Sequence, residues 1–169
     1  MQFIEIISWI LGVLVFCSLA LWVGLCVRLW QIKMTKPVIR EGLGLPNPTD
    51  ASVSIVIPAH NEERVIDRCA TSLRAQSHAK LQIIFVLDRC TDGTLDILLK
   101  HADEDSRIHL IENDHCPDDW AGKCNAARVG ATKATGEWLL FTDADTKFDS
   151  ELVRCSVASA IKRNASLLS

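Results

Sequence analysis

The chain has 169 residues, of which 49% are hydrophobic, and its 18 basic and 21 acidic side chains give a formal net charge of −3. This length allows about one folded domain. The basic residues form no stripe along the sequence, so no nucleic-acid partner is expected.

The first feature along the chain is an uncharged apolar stretch over residues 6–27. A helix of about 22 residues is long enough to cross a bilayer. A secretory signal peptide is the alternative, but no positive residue precedes the stretch and its apolar part is longer than usual. Basic residues follow it, and the positive-inside rule then places the remainder of the chain in the cytoplasm. These are Arg28, Lys33, Lys36 and Arg40. We therefore predict a single-pass membrane anchor over residues 1–30.

A segment without hydrophobic periodicity follows the apolar stretch. Residues 31–51 include the Pro- and Gly-rich run "KPVIREGLGLPNPTD". Such a composition is typical of a linker. The folded domain is then expected over residues 52–169. The chain has 7 cysteines at irregular spacing, which a cytoplasmic domain would keep as free thiols.

Apolar runs and amphipathic segments alternate through this domain. The apolar runs predict strands over residues 53–58, 81–88, 107–112 and 137–143. The amphipathic segments predict helices over residues 61–76, 91–102, 122–135 and 150–164, and Asn61 is a candidate N-cap for the first of them. Strands that are apolar throughout and separated by helices indicate an α/β fold, with a parallel sheet covered by helices on both faces.

Acidic residues collect where the predicted strands end. Asp88 closes the second strand, and "FTDADT" places Asp143 and Asp145 at the end of the fourth. In an extended segment two such carboxylates point to the same side, and their repulsion is relieved by a cation between them. Mg²⁺ typically takes one or two carboxylates together with phosphate oxygens. A polar strand end or a helix N-cap is the alternative interpretation of these acids. Ligands of parallel sheets bind beyond the carboxyl ends of the strands, which favours a site.

Three segments together resemble a known family. "VSIVIPAHNEE", "VLDRCTDGT" and "GKCNAARVGATKATGEWLLFTDADT" are similar to the nucleotide-sugar-binding part of family 2 glycosyltransferases, which have the GT-A fold and a DxD motif. The similarity covers residues 53–169. The block from "DDWAGK" to "DADT" also resembles the subgroup associated with hopene and carotenoid biosynthesis.

The resemblance implies a role for each matching residue. Pro58, Ala59 and Glu62 would line the nucleotide pocket, with Glu63 as the alternative to Glu62. Asp88 would bind the base, usually uracil, which makes a UDP-sugar the expected donor; capping of the next helix is the alternative role for Asp88. Lys123 would lie near the donor or else be solvated. Asp143 would contact the ribose or the metal-bound diphosphate, and Asp145 would be the main ligand of Mg²⁺ or Mn²⁺. Trp120 could cover the edge of this pocket, and the histidines at 60, 101, 109 and 115 are expected at the surface.

The sequence departs from the family pattern at the second motif. The common form is D-D-G-S-x-D, whereas this chain has Leu87 in place of one acid and Arg89 where glycine is usual. The family's catalytic base lies beyond the segment that matches, so we expect it beyond Ser169 and leave the catalytic residue of this chain unknown.

The leading hypothesis is a metal-dependent, inverting glycosyltransferase that acts on a lipid or envelope-polysaccharide acceptor at the membrane. A non-catalytic, membrane-anchored module that binds a nucleotide or a protein partner is the alternative. A nucleotidyltransferase is a third hypothesis, which the absence of a Gly-rich phosphate loop after the first strand disfavours.

Overall fold

The computed structural model describes residues 2–35 and 39–166. Lys36, which belongs to the basic group behind the predicted membrane orientation, and Ser169 lie outside the described residues. The chain divides into two compact units, residues 1–38 and residues 39–169.

The first unit is one long helix, α1 (Gln2–Thr35). Within it, Glu5–Gln31 has a mean hydropathy of 2.6 over its most apolar window and is long and apolar enough to cross a membrane. This agrees with the apolar stretch found in the sequence. Length and composition are the basis of this assignment.

The second unit is built on a sheet of four parallel strands. These are β1 (Val53–Ala59), β2 (Leu81–Asp88), β3 (Ile108–Asn113) and β4 (Trp138–Phe141), in the spatial order β3-β2-β1-β4. The helices that connect or follow them are α2 (Ile66–Arg74), α3 (Thr94–Glu104), α4 (Gly122–Ala131) and α5 (Leu152–Lys162). The predicted parallel α/β architecture is therefore confirmed.

Helices cover both faces of the sheet. On one face, α2 buries Ile66, Cys69 and Leu73 at helical spacing, and α3 and α5 add Leu98 and Val153 to the same core. On the opposite face, α4 places Ala126 against a second cluster formed by Val56, Ile84 and Val86. The central strands β1 and β2 are buried on both faces for this reason.

The outer strands are less buried than the two central ones. Strand β4 alternates between partly buried and exposed side chains, with Leu139 and Phe141 exposed, and β3 exposes His109 and Glu112. The reason is that β3 and β4 each lie at an edge of the described sheet. An apolar run in the sequence does not show whether a strand is central or at an edge.

Part of the predicted linker is folded. A short 3-10 helix, Ile39–Gly44, packs against α5. A Cβ at Gly42 would lie 2.5 Å from the carbonyl oxygen of Cys155, so the two backbones meet directly. Arg163 adds an ion pair to Glu41 at 2.8 Å. The segment without hydrophobic periodicity is therefore irregular, but its part Ile39–Gly44 belongs to the folded unit and is not a linker.

Candidate functional site

The structure has an open cleft of about 180 Å³ beyond the carboxyl ends of the strands. It lies next to the boundary between β1 and β4, where the spatial order of the strands, β3-β2-β1-β4, reverses relative to their order in the chain. This is the topological switch point at which open α/β sheets bind ligands. The cleft is lined by Pro58, Ala59, His60, Glu62, Asp88, Lys123, Asp143, Ala144 and Asp145. All residues that the sequence analysis assigned to donor or metal binding thus lie together.

The loop after β1 positions Glu62 at the cleft. Asn61 has a positive φ of 56°, a conformation that Asn tolerates better than most residues. Its side-chain oxygen accepts a hydrogen bond from the backbone N–H of Thr91 at 2.8 Å. Helix α2 begins only at Ile66, so the predicted N-cap role of Asn61 is wrong. Asn61 instead ties the β1 loop to the β2 loop.

The two neighbouring glutamates have different environments. The Glu62 N–H donates to Thr94 Oγ1 at 2.9 Å, and its side chain lines the cleft. The Glu63 carboxylate accepts a hydrogen bond from the Gly93 N–H at 3.1 Å, at the start of α3. A carboxylate at a helix N-terminus is favoured by the unpaired N–H groups there. Of the two candidates, Glu62 is therefore the one that a ligand in the cleft can contact.

Asp88, at the end of β2, is a nearly buried carboxylate with 3% of its surface exposed. Arg89 donates to both of its oxygens, from Nε at 3.2 Å and from Nη2 at 2.8 Å, and Asn113 Nδ2 donates to Oδ1 at 2.9 Å. Hydrogen bonding by the Arg89 guanidinium lowers the pKa of Asp88 below its ordinary value. Asp88 is therefore ionised at neutral pH.

Asp88 does not cap the following helix. The N-cap residue of α3 is Gly93, and the carboxylate that accepts from the first N–H of the helix is that of Asp92, with Thr94 N–H to Asp92 Oδ1 at 3.1 Å. The capping alternative for Asp88 is therefore wrong, which leaves its carboxylate available as part of the cleft wall.

The "DADT" segment forms a turn after β4. The Thr146 N–H donates to the Asp143 carbonyl at 3.3 Å, so the segment is not extended, as the sequence analysis expected it to be. Both carboxylates nevertheless reach the cleft, because the turn wraps around Ala144, which is 3% exposed. A buried alanine between two exposed acids anchors the turn and directs the acids outward.

Lys123 lies at the start of α4 and pairs with Asp143. Its Nζ lies 2.6 Å from Asp143 Oδ1, and the side chains of both are more than half exposed. The hydrogen bond to Asp143 raises the pKa of Lys123, with a further contribution from the charge of Asp145. The two acids thus already have a positively charged group beside them, the ammonium group of Lys123.

The chemistry of Asp143 and Asp145 also suits a divalent cation. Within residues 2–35 and 39–166, no three His, Cys, Asp or Glu side chains converge as a metal site. In the same residues the Asp145 carboxylate has no hydrogen-bonding or ion-pair partner of its own. Two carboxylates and a phosphate-bearing ligand are a donor set suited to Mg²⁺ or Mn²⁺. Asp143 and Asp145 fit such an ion.

Sequence reasoning missed His60 and misplaced two other residues. His60 lines the cleft, and its Nδ1 donates a hydrogen bond to the backbone carbonyl of Asp88 at 2.5 Å. Its position directly after β1 was the available indication. His101 was expected at the surface but is 7% exposed, and its Nε2 lies 2.9 Å from Asp67 Oδ1. Trp120 does not line the cleft; its ring packs beneath Arg128.

The fold and the cleft together define an α/β protein with a ligand site rich in carboxylates at its switch point. The family model described as "Glycosyl transferase family 2" matches residues 54–167. The chain therefore belongs to glycosyltransferase family 2, as its motifs indicated.

Two curated relatives illustrate the range of the family. The chain is 38% identical over 102 residues to the poly(ribitol-phosphate) beta-glucosyltransferase of Bacillus spizizenii, which covers 59% of this chain and 16% of that protein. It is 26% identical over 119 residues to UDP-Glc:alpha-D-GlcNAc-diphosphoundecaprenol beta-1,3-glucosyltransferase WfgD of Escherichia coli, covering 70% and 45%. The chain thus spans less than half the length of either relative.

Solved structures share the fold. S. aureus TarS 1-349 in complex with UDP-GlcNAc superposes with a TM-score of 0.57 at 24% identity, over 67% of this chain and 32% of that one. The mannosyltransferase PcManGT from Pyrobaculum calidifontis, in complex with GDP-Man and Mn²⁺, gives a TM-score of 0.54 at 25% identity, over 73% and 37%. The predicted GT-A fold is confirmed.

Proposed function

We propose that this protein is the donor-binding part of a metal-dependent, membrane-anchored glycosyltransferase. It would transfer a sugar from a nucleotide-diphosphate donor to a lipid or envelope-polysaccharide acceptor. One observation carries the proposal: the switch-point cleft gathers Asp88, Lys123, Asp143 and Asp145 from three separate elements. Such a convergence of charged groups is expected of a ligand site rather than of unrelated surface charges.

The donor is proposed to lie across the cleft from β2 to β4. Asp88 would accept a hydrogen bond from an N–H of the base, while Pro58, Ala59 and Glu62 form the wall after β1. Asp143 would contact the ribose or the metal-bound diphosphate. Lys123 can exchange its Asp143 partner for a phosphate oxygen, because both of its possible partners are anionic and the pair is exposed.

Asp145 is proposed as the principal ligand of Mg²⁺ or Mn²⁺, with Asp143 beside it. A bound cation would offset the negative charge that develops on the departing diphosphate. The chain's own contribution is to hold the two carboxylates on one turn, fixed by the buried Ala144. PcManGT, which shares the fold, was solved in complex with GDP-Man and Mn²⁺, and this supports a divalent cation as the cofactor.

The acceptor is proposed to be membrane-associated. The names of the relatives include a diphosphoundecaprenol and a poly(ribitol-phosphate) acceptor, both belonging to those proteins. The long apolar helix of this chain would hold the transferase at the same surface, with the folded unit in the cytoplasm. Inverting transfer needs a base that deprotonates the acceptor hydroxyl, and we assign that role to no residue of the cleft.

The test is calorimetric titration of the full chain in detergent micelles with UDP, GDP and their sugars, with and without Mn²⁺. We expect binding that requires the metal and that Asp145→Ala reduces at least about tenfold, since a ligand of the cation is removed. Asp103→Ala is the matched control, because Asp103 is an exposed acid of α3 away from the cleft. Metal-independent binding, or equal binding by wild type and Asp145→Ala, would overturn the metal assignment.

A further inference from the structure

Residues 142–151, all within the described part of the chain, form an irregular loop between β4 and α5. This loop carries Asp143 and Asp145, the two acids that line the cleft. Without a helical or strand ladder, the backbone N–H and C=O groups of such a loop need partners from elsewhere. Side chains of α2 and of the residues just after it supply several of these partners.

Two buried side chains hold the part of the loop that leads into α5. Ser72 Oγ accepts a hydrogen bond from the Phe148 N–H at 3.1 Å. Gln76 Nε2 donates to the Asp149 carbonyl at 2.7 Å, and Gln76 Oε1 accepts from the Val153 N–H at 3.1 Å. Ser72 and Gln76 are 7% and 5% exposed. Removal of either side chain would leave buried backbone groups without a partner, so this part of the loop is fixed as part of the core.

Arg68 continues this row of contacts toward the acids of the cleft. It precedes Ser72 by four residues, which places both side chains on one face of α2. Arg68 Nη2 donates to the backbone carbonyl of Asp145 at 3.0 Å. The sulfur of the buried Cys69 lies 4.0 Å from the carbonyl oxygen of Asp143. The turn that carries the two acids is therefore in contact with α2 at both of them.

We propose that Arg68 is a positioning residue for the cation site: it holds the Asp145 carbonyl on the side of α2 and so keeps the Asp145 carboxylate directed into the cleft. This inference rests on the proposed function, since it assigns a supporting residue to the same site. Arg68 is not among the residues that line the cleft. It therefore acts through the backbone of Asp145 and needs no contact with the cation or the donor.

Charge and positioning predict opposite effects of removing Arg68. By charge alone, the guanidinium repels a cation that binds nearby, so its removal would tighten binding of that cation. Loss of the hydrogen bond would instead release the Asp145 carbonyl and loosen the orientation of its carboxylate, which weakens cation binding. The contact is exposed, so its loss leaves no buried group without a partner and the fold should keep its stability.

The experiment measures nucleotide binding to the full chain in detergent micelles by calorimetry, over a series of Mn²⁺ concentrations. The nucleotide is UDP, or GDP if the wild type binds only GDP. Arg68→Ala should raise the Mn²⁺ concentration that gives half-maximal binding about three- to tenfold, the effect of one lost hydrogen bond. Arg68→Lys should restore most of this loss, because the contact is a single hydrogen bond that an ammonium group can also donate.

A second measurement needs no metal. Hydrogen–deuterium exchange of the metal-free chain should be faster in residues 142–147 of Arg68→Ala than in the same residues of the wild type, and unchanged in β2. The midpoint of urea unfolding should also stay unchanged. These two results together separate positioning of the loop from a general loss of stability.

Arg64→Ala is the matched control. Arg64 is also an exposed arginine, four residues earlier in the chain, and its removal changes the net charge by the same amount. This variant should leave the Mn²⁺ requirement unchanged. A requirement that stays the same or falls in Arg68→Ala, or that Arg68→Lys does not restore, would overturn this inference alone. Wild-type binding that does not depend on Mn²⁺, or a wild type that binds neither nucleotide, would overturn the proposed function as well.

Discussion

Asp88 keeps its charge although almost none of its surface meets solvent, and the reason lies in three hydrogen bonds from Arg89 and Asn113. An isolated buried carboxylate would instead have a raised pKa, because burial disfavours the ionised form. The neighbours of Asp88 outweigh that effect, and its pKa is lowered. The same bonds join the ends of β2 and β3, so this residue contributes to stability as well as to the cleft.

This arrangement predicts a pH-dependent part of the stability. The pKa of Asp88 in the folded chain lies below its ordinary value of 3.8. Its stabilising contribution is therefore complete above that value and is lost as the pH falls through the lowered pKa. Asp88→Asn should reduce the free energy of unfolding at pH 7 by about 1–3 kcal/mol. The difference from wild type should shrink in urea melts below about pH 4; a difference that stays constant with pH would contradict the assignment.

A substitution of Lys123 should change ligand affinity but not the stability of the fold. Its ion pair with Asp143 is exposed on both sides, and such pairs contribute less than about 1 kcal/mol. Lys123→Ala should therefore leave the urea midpoint almost unchanged while weakening UDP binding several-fold in the titration with Mn²⁺. A large loss of stability with unaltered UDP affinity would indicate that the lysine is structural.

At the scale of elements, α4 covers the face of the sheet opposite to α2, α3 and α5. It packs very close to the strands. The approach is made at Gly130, where a Cβ would overlap Val56 and Val86. The amino-terminal end of α4 carries Gly122 and Lys123 at the cleft, so the packing depth of α4 also sets the position of the site.

Gly130→Ala is therefore expected to destabilise the fold. Alanine would gain up to about 1 kcal/mol of helix propensity, but overpacking against a β-sheet core typically costs about 1–3 kcal/mol. The net effect should be a lower midpoint in urea unfolding. Gly44→Ala is the control, since a Cβ at Gly44 meets nothing within 4 Å. Equal midpoints for the two variants would show that α4 can shift without cost.

At the scale of the whole molecule, the two compact units differ in how their apolar side chains are covered. The folded unit includes its own core and also residues 39–51, because the 3-10 helix packs on α5 through Gly42. The long helix has none of the residues of its most apolar window buried in the structure. Its apolar surface is therefore left for a bilayer or another apolar partner.

Truncation tests this division. A chain that starts at residue 39 should remain folded and lose its partition into membranes, whereas one that starts at residue 52 should melt several degrees lower. The lost contacts with Cys155 and Arg163 are the reason, and about 1 kcal/mol corresponds to roughly 2–8 °C in domains of this size. Circular dichroism melts measure the difference, and equal melting temperatures would mean that the 3-10 helix adds no stability.

The sequence alone determined the order and type of the elements in the folded domain. Apolar runs marked the four strands of the described residues because each strand packs apolar side chains against the core, and helical spacing marked residues such as Cys69 and Leu73. It also predicted that Asp88, Asp143 and Asp145 lie near one another, since acids placed after parallel strands meet at one edge of such a sheet. These features depend on local patterns, which a linear sequence contains.

The tertiary structure decided what depends on contacts between distant segments. Three features follow from partners that lie far away in the sequence: which strands lie at the edges, why Glu62 rather than Glu63 reaches the cleft, and the burial of His101. The conformation of Arg89 and its contact with Asp88 belong to the same class, because Asn113 fixes them from the next strand. Hydrogen bonds and burial across the sheet have no local signature, and for this physical reason only the folded chain could establish them.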